Sequence, residues 1–231
     1  MKRVAFWFML MLVGTLVLGA CSSDSADKES NKEKNNKEVV ATVNGENIAS
    51  EEYQKELEAT KAMYTQQGVD FKEIDGEMKK QVEQSVLDQL INTKLVLQSA
   101  ENDGISVGQK EIDAEIGNVK GQFEDDKQYQ AALKENKITE EELTQQVRQQ
   151  LIITQYLDKN IGDVKVSEDE VKLVYDQYKE QAESMKQEVK DFETMKPELE
   201  QQAIAQKKNE EVSKHIEDLR AKNEKNIEIL L

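Results

Sequence analysis

The side chains that most often act as nucleophile, general base or metal ligand are scarce here. Cys21 and His215 are the single cysteine and the single histidine of 231 residues. One thiol cannot close an internal disulfide, and one imidazole has no second histidine with which to share a metal. Carboxylates are plentiful, but Asp125 and Asp126, or Glu140, Glu141 and Glu142, stand in charged runs that read as solvated faces or helix starts. A glycine-rich phosphate loop, a metal-spaced His and Cys cluster and a G-x-S-x-G elbow are all missing from the sequence. These residues therefore imply no catalytic group, no metal and no cofactor. His215, between Val212 and Ile216, reads as a helix-surface or packing residue. What remains is Cys21, where the chemistry of the chain changes within one position.

Lys2 and Arg3 precede an apolar run from Val4 to Leu18, followed by small residues, which is the layout of a secretory signal. Val4 to Ala20 is 17 residues, at the lower limit for crossing roughly 30 Å of hydrocarbon. Leu18, Gly19, Ala20 and Cys21 resemble a bacterial lipobox. That resemblance implies a signal peptide over 1–20, cleavage between Ala20 and Cys21, a diacylglyceryl group on the Cys21 sulfur and acylation of the new amine. Stable anchoring takes about two lipid chains, so the protein is expected on the extracytoplasmic face of the cell membrane. A plain secretory signal with an unmodified thiol is the alternative.

Losing the signal removes Lys2 and Arg3 from 31 Lys and Arg and nothing from 47 Asp and Glu, so the net charge moves from −16 to −18. Phosphate backbones need clustered cations, so nucleic acid is excluded as a partner. Residues 21–38 form the lipidated Cys and a tether: nine of the 17 positions from Ser22 to Glu38 are charged, too polar to offset the entropy of ordering.

The folded domain is expected over 39–231. Val39 to Val43 reads as a half-buried strand, Asn44-Gly45 as a hairpin turn and Glu46 to Ile48 as its return. Ile227, Glu228 and Ile229 alternate in the same way. With so few strands, the two ends of the mature chain are expected to pair in one small antiparallel sheet. Nearly everything between reads helical, which makes the fold mostly α (α+β). Val82, Val86, Leu87, Leu90, Ile91 and Leu95 recur at helical spacing and stop before Gly104; Leu143, Val147, Leu151, Ile152 and Leu157 mark a second helix from about Glu140 to Asn160. "VGQKEI" at 107, "ITEEEL" at 138 and "VSEDEV" at 166 repeat a capping box inside a hydrophobic staple, and "IASEEY" at 48 is a looser copy.

"VATVNGENIASEEY", "LDQLINTKLVLQSAENDGISVGQKEIDAEI", "ITEEELTQQVRQQLIITQYL" and "VSEDEVKLVYDQY", in that order and spacing, resemble the N-terminal module of the SurA and PrsA type extracytoplasmic chaperones. The resemblance covers about residues 38 to 178, and the stretch from Lys196 to Ile229 is similar to the helix and strand that complete that module. It implies a multi-helix chaperone module binding unfolded exported proteins through broad apolar surface. The chain departs from the family where many members carry a parvulin prolyl-isomerase domain with a pair of histidines: about 20 residues separate Tyr178 from Leu199. The function expected is thus a holdase or foldase without isomerase activity. A dedicated adaptor for one cell-envelope partner and, third, a cryptic isomerase are the other classes.

Val171, Tyr175, Tyr178, Ala182, Met185, Val189 and Phe192 step by four and three, a heptad seam on an expected helix over 171–192. It could pack inside the domain or face clients or a second protomer as a homodimer. Pro197 is expected near the first turn of the last helix. Met63, Tyr64, Phe71, Met78, Met185, Phe192 and Met195 are the expected client-binding residues, because flexible thioethers and aromatic rings adapt to partners of no fixed shape. Replacing Cys21 by Ala is expected to release the protein into soluble fractions or leave it uncleaved. An unmodified Cys21 in the mass spectrum of the native protein refutes the lipid anchor.

Overall fold

Val39, Val40, Thr42 and Val43 are β-branched, and the residues that follow them take the backbone into the left-handed region, Asn44 at φ 52° and Gly45 at φ 83°. That pair of positive φ angles turns a strand tightly back on itself. A computed structural model describes residues 39–231 apart from 137; the signal peptide over 1–20, the Ala20–Cys21 junction and the tether over 21–38 lie outside the described residues. β1 (Val39–Val43) pairs antiparallel with β2 (Glu46–Ala49). β3 (Ile227–Ile229) lies antiparallel on the other side of β1, with Ala41 opposite Ile229 and Val43 opposite Ile227. The sheet order is β2-β1-β3, so the two ends of the folded chain do meet. Simple alternation fails at one position. The β1–β2 register shifts between Val39 and Ala41, and Val40 is buried beside Ala41, because a bulge turns an extra side chain inward.

Seven helices follow β2 among the described residues: α1 (Ser50–Gln66), α2 (Gly76–Asn102), α3 (Gln109–Lys120), α4 (Asp126–Glu135), α5 (Glu140–Ile161), α6 (Glu168–Ser184) and α7 (Phe192–Asn223). The fold is mostly α with one small sheet, as expected. None of these helices is long and apolar enough to cross a membrane. The chain divides into two compact units, residues 39–155 with 219–231, and residues 156–218.

The first unit has two cores. Val40, Ala41, Val43 and Ile48 of the sheet pack with Tyr53 and Leu57 of α1 and with Val82, Val86, Leu87, Leu90, Ile91 and Leu95 of α2. The second core joins Val107, Ile112, Tyr129, Leu133, Leu143 and Val147 across α3, α4 and α5. Polar bonds fix the sheet on α2: the Gln98 side-chain amide donates to the Val43 carbonyl at 3.0 Å, the Asn44 side-chain amide donates to the Gln98 side-chain oxygen at 2.9 Å, and Lys94 pairs with Glu46 at 2.8 Å. Arg220 binds Asp88 at 2.5 Å and donates to Asn92, drawing the segment that leads into β3 onto α2.

Helix starts follow the repeated motif. Thr139 and Glu142 bond each other's backbone amides, and Ser167 and Glu170 do the same. The copies at Gly108 and Ala49 keep only the glutamate half, Glu111 to the Gly108 amide and Glu52 to the Ala49 amide, since neither residue has a side-chain oxygen. Helix ends share a second device. After α2, Gly104 at φ 71° donates to Glu101 and Ile105 donates to Ala100, which satisfies the last carbonyls.

In the second unit the expected continuous helix over 171–192 is not formed. α6 stops at Ser184, Lys186 takes φ 54°, and the amides of Lys186 and Gln187 close on Glu183 and Ala182, the same helix stop with lysine where α2 uses glycine. Two tyrosines hold the reversal: Tyr175 donates to the Lys190 carbonyl at 2.9 Å, and the Lys190 amide donates to the Tyr178 hydroxyl at 3.1 Å. Asp191 then caps α7 through Thr194. The second half of the seam thus folds back on the first, with Phe192 5.4 Å from the Tyr175 ring, so there is no single 171–192 helix to offer a second protomer. Because Asp191 starts α7 at Phe192, Pro197 lies inside the helix beyond its first turn, where it removes one helical donor.

Ala41 and Val43 are fully buried under strands from both ends of the chain. Ending the chain at Asn223 is expected to lower unfolding stability by about 2 to 4 kcal/mol, from lost cross-strand pairs and partly buried Ile227. An unchanged urea midpoint refutes that dependence on β3.

Candidate functional site

Charged residues make up 34% of the chain, so large apolar side chains left at its surface stand out. In the first unit they gather where α1 hands over to α2. α1 ends at Gly68, φ 83°, with the Val69 amide closing on the Tyr64 carbonyl at 2.9 Å. This turn carries Phe71 back to Tyr64, ring centroids 6.1 Å apart and edge to face, both packed on the rim of the sheet core. Lys61 lies 5.5 Å from the Phe71 ring. Met63 is half-buried on α1. Asp75 caps α2 by accepting from the amides of Glu77 and Met78, which places the exposed Met78 in the first turn. Val69, also exposed, belongs to the same connection and was not among the expected residues; its neighbours in sequence are Gly68 and Asp70, which give no periodic signal.

In the second unit, Met185 stands at the reversal, exposed by 57%. Phe192 is half-buried against Tyr175 and Tyr178. Met195 is a correction: it is buried with Val171, Val174, Leu199 and Ala203, because α7 doubles back on α6 and turns that methionine into the core between them. Leu173 is exposed by 63% on α6 and was missed, since it lies off the seam that the heptad spacing picks out. The structure therefore brings Tyr64 and Phe71 together, leaves Met78 and Met185 open, and withdraws Met195.

Polar side chains pair with one another and with backbone amides. His215 and the Tyr156 hydroxyl are 2.9 Å apart, beside a hollow of about 430 Å³ lined by Lys165, Lys207, Lys214, Asp163, Glu211 and Asp218, with both signs of charge on its walls. Lys207 there binds Glu170 at 2.6 Å. The Lys207 ammonium, then the Ser167 amide, hold the Glu170 carboxyl down at about 2. Lys55 of α1 pairs with Glu142 of α5 at 2.8 Å; that bond, followed by the Thr139 amide, holds Glu142 at about 2. Burial pushes the carboxyls of Glu52 and Glu56 the other way, upward. Asp125 caps α4 through the Gln128 amide. Among the described residues no group of three or more His, Cys, Asp and Glu is placed to hold a metal ion.

Architecture and surface together define a helix-rich module, closed by its own chain ends, whose apolar side chains are shared between thin cores and open connections. The model of the SurA-like N-terminal domain matches residues 1–157, and the chain belongs to that family. Its relatives include proteins named foldase protein PrsA. That of Caldanaerobacter subterraneus is 33% identical over 191 residues, 80% of this chain and 55% of the relative. That of Clostridium acetobutylicum is 29% identical over 178 residues, 73% of this chain and 53% of the relative. One from Clostridium botulinum is 27% identical over 195 residues, 77% and 55% of the two chains. The chain spans about half the length of these relatives.

Glu142 has a folded-state carboxyl near 2 against an unfolded value of about 4.3, so its contribution is present above the unfolded value and lost as pH falls toward 2. Lys55→Met is expected to flatten the loss of stability between about pH 4.5 and 2, measured by urea unfolding at stepped pH. An identical pH slope in the variant refutes the pair's role.

Proposed function

We propose that this protein is a membrane-anchored extracytoplasmic chaperone, a holdase or foldase that binds unfolded exported proteins through adaptable apolar surface and has no prolyl-isomerase activity. The observation that carries the reading is the set of apolar side chains left open in a heavily charged module: Val69 and Met78 at the α1–α2 connection, and Leu173 and Met185 on α6 and its reversal. Exposed methionine and leucine side chains present apolar area without a fixed shape, which suits a client that has none. Family membership and relatives named foldase support the same reading. The lipobox-like residues that end at Cys21 support the anchor, and a single histidine, His215, bonded to Tyr156, supports the reading without isomerisation. A net charge of −16 favours clients with basic segments, an attraction that added salt weakens as the screening length falls to a few Å, about 3 Å at 1 M.

The protein is expected to delay aggregation of several unrelated unfolded proteins at near-stoichiometric amounts without ATP, and to leave a proline peptide at its uncatalysed cis to trans time of about tens to hundreds of seconds. Met78→Ser combined with Met185→Ser is expected to weaken protection while leaving the fold intact by circular dichroism. Catalysed isomerisation overturns the non-enzymatic reading, and protection of one partner alone replaces the chaperone by a dedicated adaptor.

A further inference from the structure

Alternate residues of an antiparallel strand direct both N–H and C=O at the same neighbour. The Leu230 amide donates to the Val40 carbonyl at 2.9 Å and the Asn44 amide donates to the Asn226 carbonyl at 2.9 Å. With Glu228 opposite Thr42, residues 226, 228 and 230 therefore face β1. The Ile227 C=O and the backbone groups of Ile229 and Leu231 turn the other way, toward the outer side of β3, where none of the described strands pairs, while the Ile227 N–H donates to the Glu224 carbonyl of the preceding turn. Ile229, Leu230 and Leu231 are exposed by 49%, 38% and 68%. Edge strands are commonly blunted by short length, charge, proline or a bulge; β3 is three residues, Ile, Glu, Ile, with Glu228 its one charge and with no proline, lysine or bulge.

We propose that the outer edge of β3 docks one extended, positively charged segment of an unfolded polypeptide as a fourth strand of the sheet. This rests on the chaperone reading above and adds to it a backbone mode of binding, distinct from the apolar side chains at the helix connections. The Ile227 N–H closes on the Glu224 carbonyl, so the outward C=O of Ile227 and the outward N–H and C=O of Ile229 are the groups that call for a partner offering its own main chain, and main-chain bonding is indifferent to client sequence. Side chains select among such segments. On the face shared with Ala41 and Val43 the new strand meets Ile227 and Ile229, which calls for apolar residues. On the other face it meets Glu228, which calls for Lys or Arg. A second copy of this chain fits less well: it brings a net charge of −16 against another −16, and the register centred on this strand sets Glu228 beside Glu228.

The test uses the full chain and a capped, fluorescent eight-residue peptide of alternating Val and Lys, followed by anisotropy. The peptide is expected to bind, to weaken with added salt, and to lose affinity when N-methylated on the alternate residues that would face β3. Ile229→Pro deletes an outward-facing donor and no β1–β3 bond, so it is expected to reduce affinity by about tenfold or more, while Ile229→Thr, which keeps the donor, costs less than about threefold. Equal binding of the plain and N-methylated peptides by the unaltered protein overturns the proposal, whatever becomes of the Ile229→Pro fold. So does a dimer that Ile229→Pro dissolves, which would give the edge to a second copy. Failure of the chaperone reading is separately visible, as an unaltered protein that protects no unfolded client.

Discussion

Val43 has no exposed surface because Ile227, from the far end of the chain, lies opposite it, and the first unit is organised around that encounter. A five-residue strand with a four-residue return is too little sheet to hold itself together in water. The third strand and the cover of α2 make it viable. Closing so long an excursion costs less than intuition allows, since the entropy of loop closure grows only with the logarithm of length. Several contacts of different kinds offset that cost together: the β1–β3 ladder, the Gln98 and Lys94 bonds from α2 to the hairpin, and the Arg220 pair with Asp88. Each is modest alone. Because the side-chain bonds converge on α2 and the ladder belongs to the sheet that packs on it, losing β3 would loosen the helix that both the sheet and α1 pack against.

Thin cores shape the rest. With 37% hydrophobic and 5% aromatic residues, each core is a short list of Leu, Ile, Val and Tyr, and helix ends have to be satisfied locally. The capping boxes at Thr139 and Ser167 and the left-handed stops at Gly68, Gly104 and Lys186 do so within a few residues of each end. Connections built in this way need little tertiary burial. That freedom is what allows Val69, Met78 and Met185 to sit at the surface without unravelling the helices beside them, and it links the local chemistry of the chain to the client surface proposed for it.

The aromatic residues of the second unit show how a repeating pattern serves two purposes. Tyr175, Tyr178 and Phe192 lie on one seam by spacing; Tyr175 and Tyr178 meet at 6.0 Å as neighbours on one face of α6, and Phe192 meets Tyr175 at 5.4 Å because the backbone turns between α6 and α7. Two tyrosine hydroxyls spent on Lys190 make the turn specific.

From the sequence alone come the features that depend on near neighbours. Asn44-Gly45 demands a turn of positive φ, the threonine or serine followed three residues later by glutamate demands a helix start, and the stripe from Val82 to Leu95 demands a helix with one buried face. The pairing of β1 with β3 was also legible, by the scarcity of other strands. Tertiary structure alone decided where that logic has no purchase. Lys186 adopts a conformation that costs a non-glycine residue energy, and Tyr175 and Tyr178 hold the turn that requires it. Periodicity placed Met185 on the seam, but only the reversal between α6 and α7 leaves it in water and buries Met195. Val40 turned inward because a bulge shifted its register. Spacing along the chain determines which side chains share a face; what covers that face is a property of segments far apart in sequence, and is settled only when they pack.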